Sequence, residues 1–229
     1  MRPVTRRVVA LAAGILLSQI PRAWAQSAPA VERRPRQLVV KLNAFPLLAR
    51  GYHLEIEKSF AGYPRHSVGL TGQYYNGRVL DITAANVSRQ NEQVHGYGAE
   101  LLHRVYLSSV ADAQLRGLYM GYGPSYQRFS MSFVQDTWVE RPDGFGLTYY
   151  ALVPVPYTED ITRVGASAVL GFQDLLEATP ITFDFYIGLG YRYSSFRSEL
   201  PESRYRAGLL DYGQRGVYLP AGFKIGLLL

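Results

Sequence analysis

Hydrophobic and polar residues alternate with a period of two along most of the chain from Leu38 to Leu229. The clearest run is 181–193, where apolar and aromatic side chains occupy every odd position. The even positions of that run hold a different set: Thr182, Asp184, Tyr186, Gly188, Gly190 and Arg192. Strict alternation over about a dozen residues is a strand signal and fits no helix. Residues 217–229 repeat the pattern, so the chain is predicted to end in a strand.

The same alternation predicts six further strands upstream. Their approximate bounds are residues 38–48, 52–60, 67–75, 96–107, 116–126 and 163–173. This gives eight strands of about ten residues, and nine to eleven residues are what a tilted strand needs to cross a bilayer. The sequence therefore predicts an all-β fold, an eight-stranded antiparallel up-and-down transmembrane barrel.

The predicted connections alternate in length, as they do in membrane barrels, which have short turns on one rim and long loops on the other. The short turns are residues 61–66, 107–113 and 174–180. The long outer loops are residues 76–93, 130–159 and 197–215. The first outer connection, around residues 49–51, is a tight turn instead. Residues 129–153 alternate enough to predict a long hairpin projecting above the membrane.

Periodicity alone does not decide which face is the lumen, because a soluble lipocalin-like barrel would point its apolar face inward. The polar face carries many glycines, which ease crowding in a narrow barrel. The apolar face carries an aromatic girdle, as expected at a lipid–water boundary: Tyr52, Tyr97, Tyr122, Tyr126, Tyr191 and Tyr193. The polar face also holds charges of both signs, predicted to form a structural polar network in the lumen: Lys41, Glu55, Glu57, Glu100, Arg104, Arg163, Asp184, Arg192 and Lys224.

The charge of the chain sits mainly at its N-terminus. Residues 1–25 have a basic start, a short apolar run and an Ala-Trp-Ala cleavage pattern, which predict an export signal peptide. Residues 26–36 are predicted to be a flexible periplasmic leader, and residues 37–229 the barrel. The formal charge of +6 comes from the first two segments, because cations and anions are equal in number from Gln37 onward. This removes the main argument for nucleic-acid binding, and the absence of cysteine excludes disulfides and thiol chemistry.

Several strand patterns resemble a known family. The segments "LVVKLNAFPLLARGYHLEIEKSF", "HSVGLTGQYY", "GYGAELLHRVYL", "LRGLYMGYGPSYQ", "FYIGLGYRY" and "LPAGFKIGLLL" are similar to strands of a domain-of-unknown-function family of small outer-membrane β-barrels common in Bacteroidetes-type bacteria. That family looks distantly like the OmpA transmembrane domain. The resemblance implies a small outer-membrane barrel and no catalytic residues. This chain departs from many such barrels in ending on Leu229 rather than an aromatic residue.

No catalytic or metal-binding motif is evident. None of His53, His66, His95 and His103 has the spacing of a metal motif. Nucleophile-elbow and P-loop sequences are absent, and no cofactor is expected. Glu55 and Glu57 project from one strand face, which fits an ion-pair network better than a paired-carboxylate acid/base site. His103 with Ser108 or Ser109 is the remaining candidate for lipid-modifying chemistry.

The sequence thus predicts a non-enzymatic barrel in the outer membrane of a Gram-negative bacterium. Its role is structural or a surface interaction through the outer loops, whose binding candidates are aromatic: Trp138, Phe145, Tyr149 and Tyr150. The opposing interpretation is that these aromatics only pack the loop against itself. The alternatives in function are a narrow channel or small-ligand carrier, and a lipid-modifying enzyme. The expected partners are outer-membrane lipid, the barrel assembly machinery and an unknown ligand at the loops, with no nucleic acid and a monomeric state.

Overall fold

The structure is a computed structural model that describes residues 38–48, 50–60, 62–79, 92–107, 115–142, 144–177, 179–206 and 211–229. The predicted signal peptide and leader lie outside the described residues. Within these ranges, no helix has the length and hydropathy needed to span a bilayer.

The described chain is almost entirely β-strand. One short helix, α1, covers Phe45–Leu48. The strands are β1 Leu38–Asn43, β2 Gly51–Phe60, β3 Tyr63–Arg78, β4 Gln93–Tyr106, β5 Gly117–Pro142, β6 Thr148–Leu175, β7 Ile181–Ser198, β8 Gly216–Tyr218 and β9 Ala221–Leu228.

These strands form one antiparallel sheet that closes on itself. Strands β1 to β7 pair in chain order, β7 pairs with β9, and β9 pairs with β1. The three residues of β8 also pair with β7, further along the same side as β9. Strands β8 and β9 therefore share one position in the wall, and the barrel has eight. The predicted eight-stranded up-and-down barrel is confirmed.

The burial pattern confirms which face is inside. Along β2, Glu55 and Glu57 are buried whereas Leu54 and Ile56 are exposed. All six tyrosines of the predicted girdle are exposed on the outer wall. An apolar exterior around a charged interior is the pattern of a membrane-spanning barrel, because a soluble barrel has the opposite arrangement.

The two rims differ, and we name them by their connections. The turn rim carries the short β2–β3, β4–β5 and β6–β7 connections, and the loop rim carries α1 and the long ones. At the turn rim the lumen is filled by a buried cluster: Val39, Leu102, Tyr106, Leu115, Tyr119 and Val169. A second buried cluster fills the loop rim.

The predicted third outer loop, 130–159, is mostly paired strand. The β5–β6 register runs without a break from Gly117↔Gln173 to Pro142↔Thr148. About eleven of the 26 residues of β5 are enough to cross a bilayer, so roughly 50 Å of strand remain beyond it. The projecting hairpin predicted from the alternation of residues 129–153 is confirmed.

Two predicted strand boundaries are wrong. The first strand was expected to reach Leu48, but β1 ends at Asn43, whose side-chain oxygen accepts the backbone N–H of Phe45 and starts α1. Pro46 has no N–H to donate to a strand ladder but is tolerated in a first helical turn. The last strand, expected to be continuous over 217–229, is interrupted at residues 219–220 because Pro220 likewise lacks a ladder donor.

Candidate functional site

Six of the nine predicted lumen residues form one buried ion-paired cluster, the lumen network: Lys41, Glu55, Glu57, Arg104, Asp184 and Lys224. Three cations face three carboxylates, so the cluster is neutral by formal charge. All six residues are at most 4% exposed. Buried charges are tolerated when they are paired and hydrogen-bonded in this way.

Arg104 is the centre of the lumen network. Its guanidinium lies 2.7 Å from Glu55 Oε1, 2.8 Å from Glu57 Oε2 and 3.0 Å from Asp184 Oδ2. A planar guanidinium can hold several carboxylates at once because its donors point in fixed, divergent directions. One side chain from β4 thereby binds carboxylates from β2 and β7.

The two lysines complete the pairing. Lys41 Nζ lies 3.2 Å from Glu55 Oε1 and 2.9 Å from Asp184 Oδ2, and it also contacts Glu57. Lys224 Nζ lies 2.5 Å from Glu55 Oε2. Each carboxylate of the lumen network therefore has at least two cationic neighbours.

Hydroxyl groups satisfy further carboxylate lone pairs. Tyr106 donates to Glu57 Oε1 at 2.8 Å, and Tyr119 donates to Asp184 Oδ1 at 2.7 Å. Ser67 donates to Glu57 at 2.5 Å, and Thr71 donates to Glu55 at 3.2 Å. With these bonds the network ties the walls together across the lumen and fills it toward the turn rim.

Glycines that pair across the ladder with two of these filling residues make room for them. A Cβ at Gly171 would lie 2.3 Å from the ring of Tyr119, and one at Gly226 would lie 2.7 Å from Lys41 Cγ. Both distances are shorter than real carbon contacts. The predicted role of glycine on the lumen face therefore has a geometric basis at these two positions.

The other three predicted lumen residues lie nearer the loop rim. Glu100, Arg163 and Arg192 line a cavity of about 180 Å³, the side cavity, together with polar side chains including His53, Gln73, Gln127, Tyr186 and Tyr218. The structure thus divides the nine residues into a sealed network and a cavity wall.

Arg163 is the most buried charge of the side cavity, with 8% exposure. It donates to Gln127 Oε1 at 2.5 Å, and its guanidinium lies 4.7 Å from the ring centroid of Phe129. No carboxylate among the described residues lies within ion-pair distance of it, and its Nε has no hydrogen-bond partner there. The guanidinium of Arg163 therefore lines the cavity without the neutralising carboxylates that surround Arg104.

On the loop-rim side of the side cavity, Tyr205 and Tyr212 cover the lumen, and we call these two residues the cap. The rings of Tyr212 and Phe129 are 4.9 Å apart, and those of Phe129 and Tyr75 are 5.0 Å apart. Tyr205 packs on Phe133 at 5.9 Å. Both cap residues belong to the β7–β8 connection, which the sequence predicted as an outer loop.

The four aromatic binding candidates lie at the end of the projecting hairpin. Trp138 is 65% exposed, Phe145 93%, Tyr149 50% and Tyr150 65%. The buried cluster of the loop rim reaches Phe133 but includes none of these four residues. Both the binding role of these aromatics and their packing within the hairpin stay predictions.

The histidines form a contact that the sequence did not predict. His66 Nδ1 and His103 Nε2 are 3.1 Å apart with stacked rings, and His103 Nδ1 lies 2.9 Å from the hydroxyl of Tyr122. Since both ring nitrogens of His103 already have partners, neither is left to activate a serine. Ser108 and Ser109 lie outside the described residues. No group of three metal-ligating side chains occurs in the described part of the chain.

Comparisons with known proteins return few matches. No family model matches the chain, and no curated protein matches it. Among solved structures, the crystal structure of Acinetobacter baumannii CarO is similar with a TM-score of 0.39 and 13% identity, over 86% of this chain and 98% of that one. The crystal structure of Acinetobacter baumannii CarO2 is similar with a TM-score of 0.37 and 14% identity, over 86% of this chain and 99% of that one.

Proposed function

We propose that the protein is a non-enzymatic barrel of the Gram-negative outer membrane that presents the β5–β6 hairpin as an interaction surface. The observation that carries the proposal is the exposure of Trp138, Phe145, Tyr149 and Tyr150 at the end of a continuous paired hairpin. Exposed aromatic side chains on a rigid element are typical of protein-binding surfaces. The resemblance to the domain-of-unknown-function family of small outer-membrane barrels stays a prediction from the sequence.

The filled lumen supports a surface role rather than transport. An eight-stranded barrel has an interior just wide enough for side chains to fill, and the lumen network and the turn-rim cluster fill this one. The cap adds a second closure at the loop rim. A path for solutes would require both layers to open.

Site-specific photocrosslinking in intact cells tests the proposal. A photoreactive residue placed at Trp138 or Phe145 is expected to give a defined crosslinked product. The same residue at Leu170, which is exposed on the membrane-facing wall, serves as the control and is expected to react with lipid only. Absence of a product at the hairpin positions, or the same product at Leu170, would contradict an interaction role for the hairpin.

The histidine contact argues against the lipid-modifying alternative. His103 is engaged by His66 and Tyr122, so a serine would have to displace one of them. If lipid turnover is nevertheless observed with the purified protein, His103→Ala is expected to leave it unchanged.

A further inference from the structure

The barrel wall has a gap on one side of the loop rim. The β1–β9 ladder ends at the pair Asn43↔Lys224, and one more bond follows, from Ala44 N–H to Phe223 O at 2.9 Å. Beyond it, α1 leaves the wall, and no backbone hydrogen bond joins residues 45–48 to residues 216–222. Pro220 is still held to β7, because its carbonyl accepts the N–H of Gly188 at 2.8 Å. The opening, the side gap, therefore lies between α1 and residues 219–221.

The side cavity reaches this gap. Its lining includes Pro46 of α1 on one side and Pro220 and Ala221 on the other. The remaining exits are closed within the described structure: the cap lies over Phe129 and Tyr75 toward the loop rim, and the lumen network fills the lumen toward the turn rim. A ligand of the side cavity would thus enter through the wall.

The residues beside the side gap are apolar and exposed. Phe45 is 58% exposed, and Leu48 and Leu219 are each 71% exposed. The cavity behind the gap is polar and cationic. Its lining contains Arg163 and Arg192, whereas Glu100 is the single carboxylate among the described lining residues. Arg163 pairs across the ladder with Ser194, two residues from Arg192, so the two arginines are diagonal neighbours on the inward face.

We propose that the side cavity binds the carboxylate head of a membrane-embedded amphiphile, whose alkyl chain leaves through the side gap into lipid. The buried guanidinium of Arg163, with its Nε unpartnered and no carboxylate near it, supplies the anion-binding group. Guanidinium donors match a carboxylate in bidentate geometry. The cavity of about 180 Å³ is larger than a single water site needs, so it has room for a carboxylate head.

Titration of dodecanoate carrying a ¹³C-labelled carboxyl group tests this binding directly. The full-chain barrel is used in nonionic maltoside micelles, and the carboxyl resonance reports the bound head. Saturable binding is expected, and Arg163→Gln is expected to weaken it about tenfold or more, since it removes a charged bidentate donor. Arg128→Gln is the matched control because Arg128 is half-exposed and pairs with Asp160 outside the cavity. It should change the affinity less than about twofold.

Acetate and a second variant distinguish the outcomes. If acetate binds as tightly as dodecanoate, the ligand is a soluble carboxylate and the amphiphile proposal is wrong. If dodecanoate binding does not saturate, or if Arg163→Gln binds dodecanoate as tightly as the native chain does, the proposed site is wrong. Heat-modifiable gel mobility shows whether Arg163→Gln is folded. Should it not fold, Arg192→Gln replaces it, with weakened binding supporting the proposal and unchanged binding contradicting it.

Discussion

The guanidinium of Arg104 lies 3.0 Å from the carboxylate of Asp184, although the two residues belong to strands that share no backbone hydrogen bond. Strand β4 pairs with β3 and β5, and β7 pairs with β6, β8 and β9. The contact is therefore made through the lumen and not along the wall. It joins two parts of the barrel that the sheet connects only through intervening strands.

Replacing Arg104 by methionine is expected to destabilise the barrel by about 3–5 kcal/mol, because it leaves buried carboxylates without their shared cation. The free energy of unfolding in urea, measured in lipid vesicles, checks this. Arg128→Met is the control, since the Arg128–Asp160 pair is 3.5 Å apart and partly exposed; it should cost less than about 1 kcal/mol. If the two substitutions lower the free energy of unfolding equally, the lumen network does not stabilise the barrel more than a surface ion pair does.

Gly171→Ala is expected to destabilise the barrel by roughly 1–3 kcal/mol, because the new Cβ would overlap the ring of Tyr119 and displace it from Asp184. Gly144→Ala, at a position where a Cβ meets nothing within 4 Å, is the matched control and should leave the unfolding free energy almost unchanged. A Gly171→Ala variant as stable as the native chain would mean that Tyr119 has room to move.

Phe133→Ala is expected to loosen the cap, because it removes the ring on which Tyr205 packs. Limited trypsin digestion at Arg204, Arg206 and Arg215 of the β7–β8 connection should become several-fold faster, while the wall stays protected. Trp138→Ala removes an exposed aromatic of the same hairpin and should not change the digestion rate. If both variants digest alike, the cap does not depend on Phe133.

Shortening the hairpin is expected to leave the barrel folded. Residues 136–154 would be removed and the pair Gln135↔Val155 joined by an Asn-Gly turn, which suits a two-residue hairpin connection. The buried cluster of the loop rim ends at Phe133 and Tyr157, so its packing stays intact. Heat-modifiable gel mobility should be retained, and its loss would show that the hairpin stabilises the wall.

Much of the wall was predictable because strand alternation is a local signal. Glycine and tyrosine also decided the inner and outer faces, since glycine eases crowding and tyrosine marks the lipid–water boundary. By contrast, the partners of Arg104 depend on how the sheet curves and closes, which alternation does not encode. The contact of His66 with His103 depends on the β3–β4 register, in which His103 stands opposite Val68.

The side gap had a sequence signal that the alternation obscured. Pro46 and Pro220 interrupt the first and last strands, yet apolar residues keep their period of two on either side of both. The cap was predicted only as a loop, because its packing joins Tyr205 and Tyr212 to side chains far away in the sequence. These two features shape the side cavity, so its geometry required the three-dimensional structure.

Single-channel recording in planar bilayers tests whether the lumen network and the cap close the barrel. We expect no steady open conductance from the folded native protein. A steady open conductance, from protein shown to be folded by its heat-modifiable gel mobility, would contradict it.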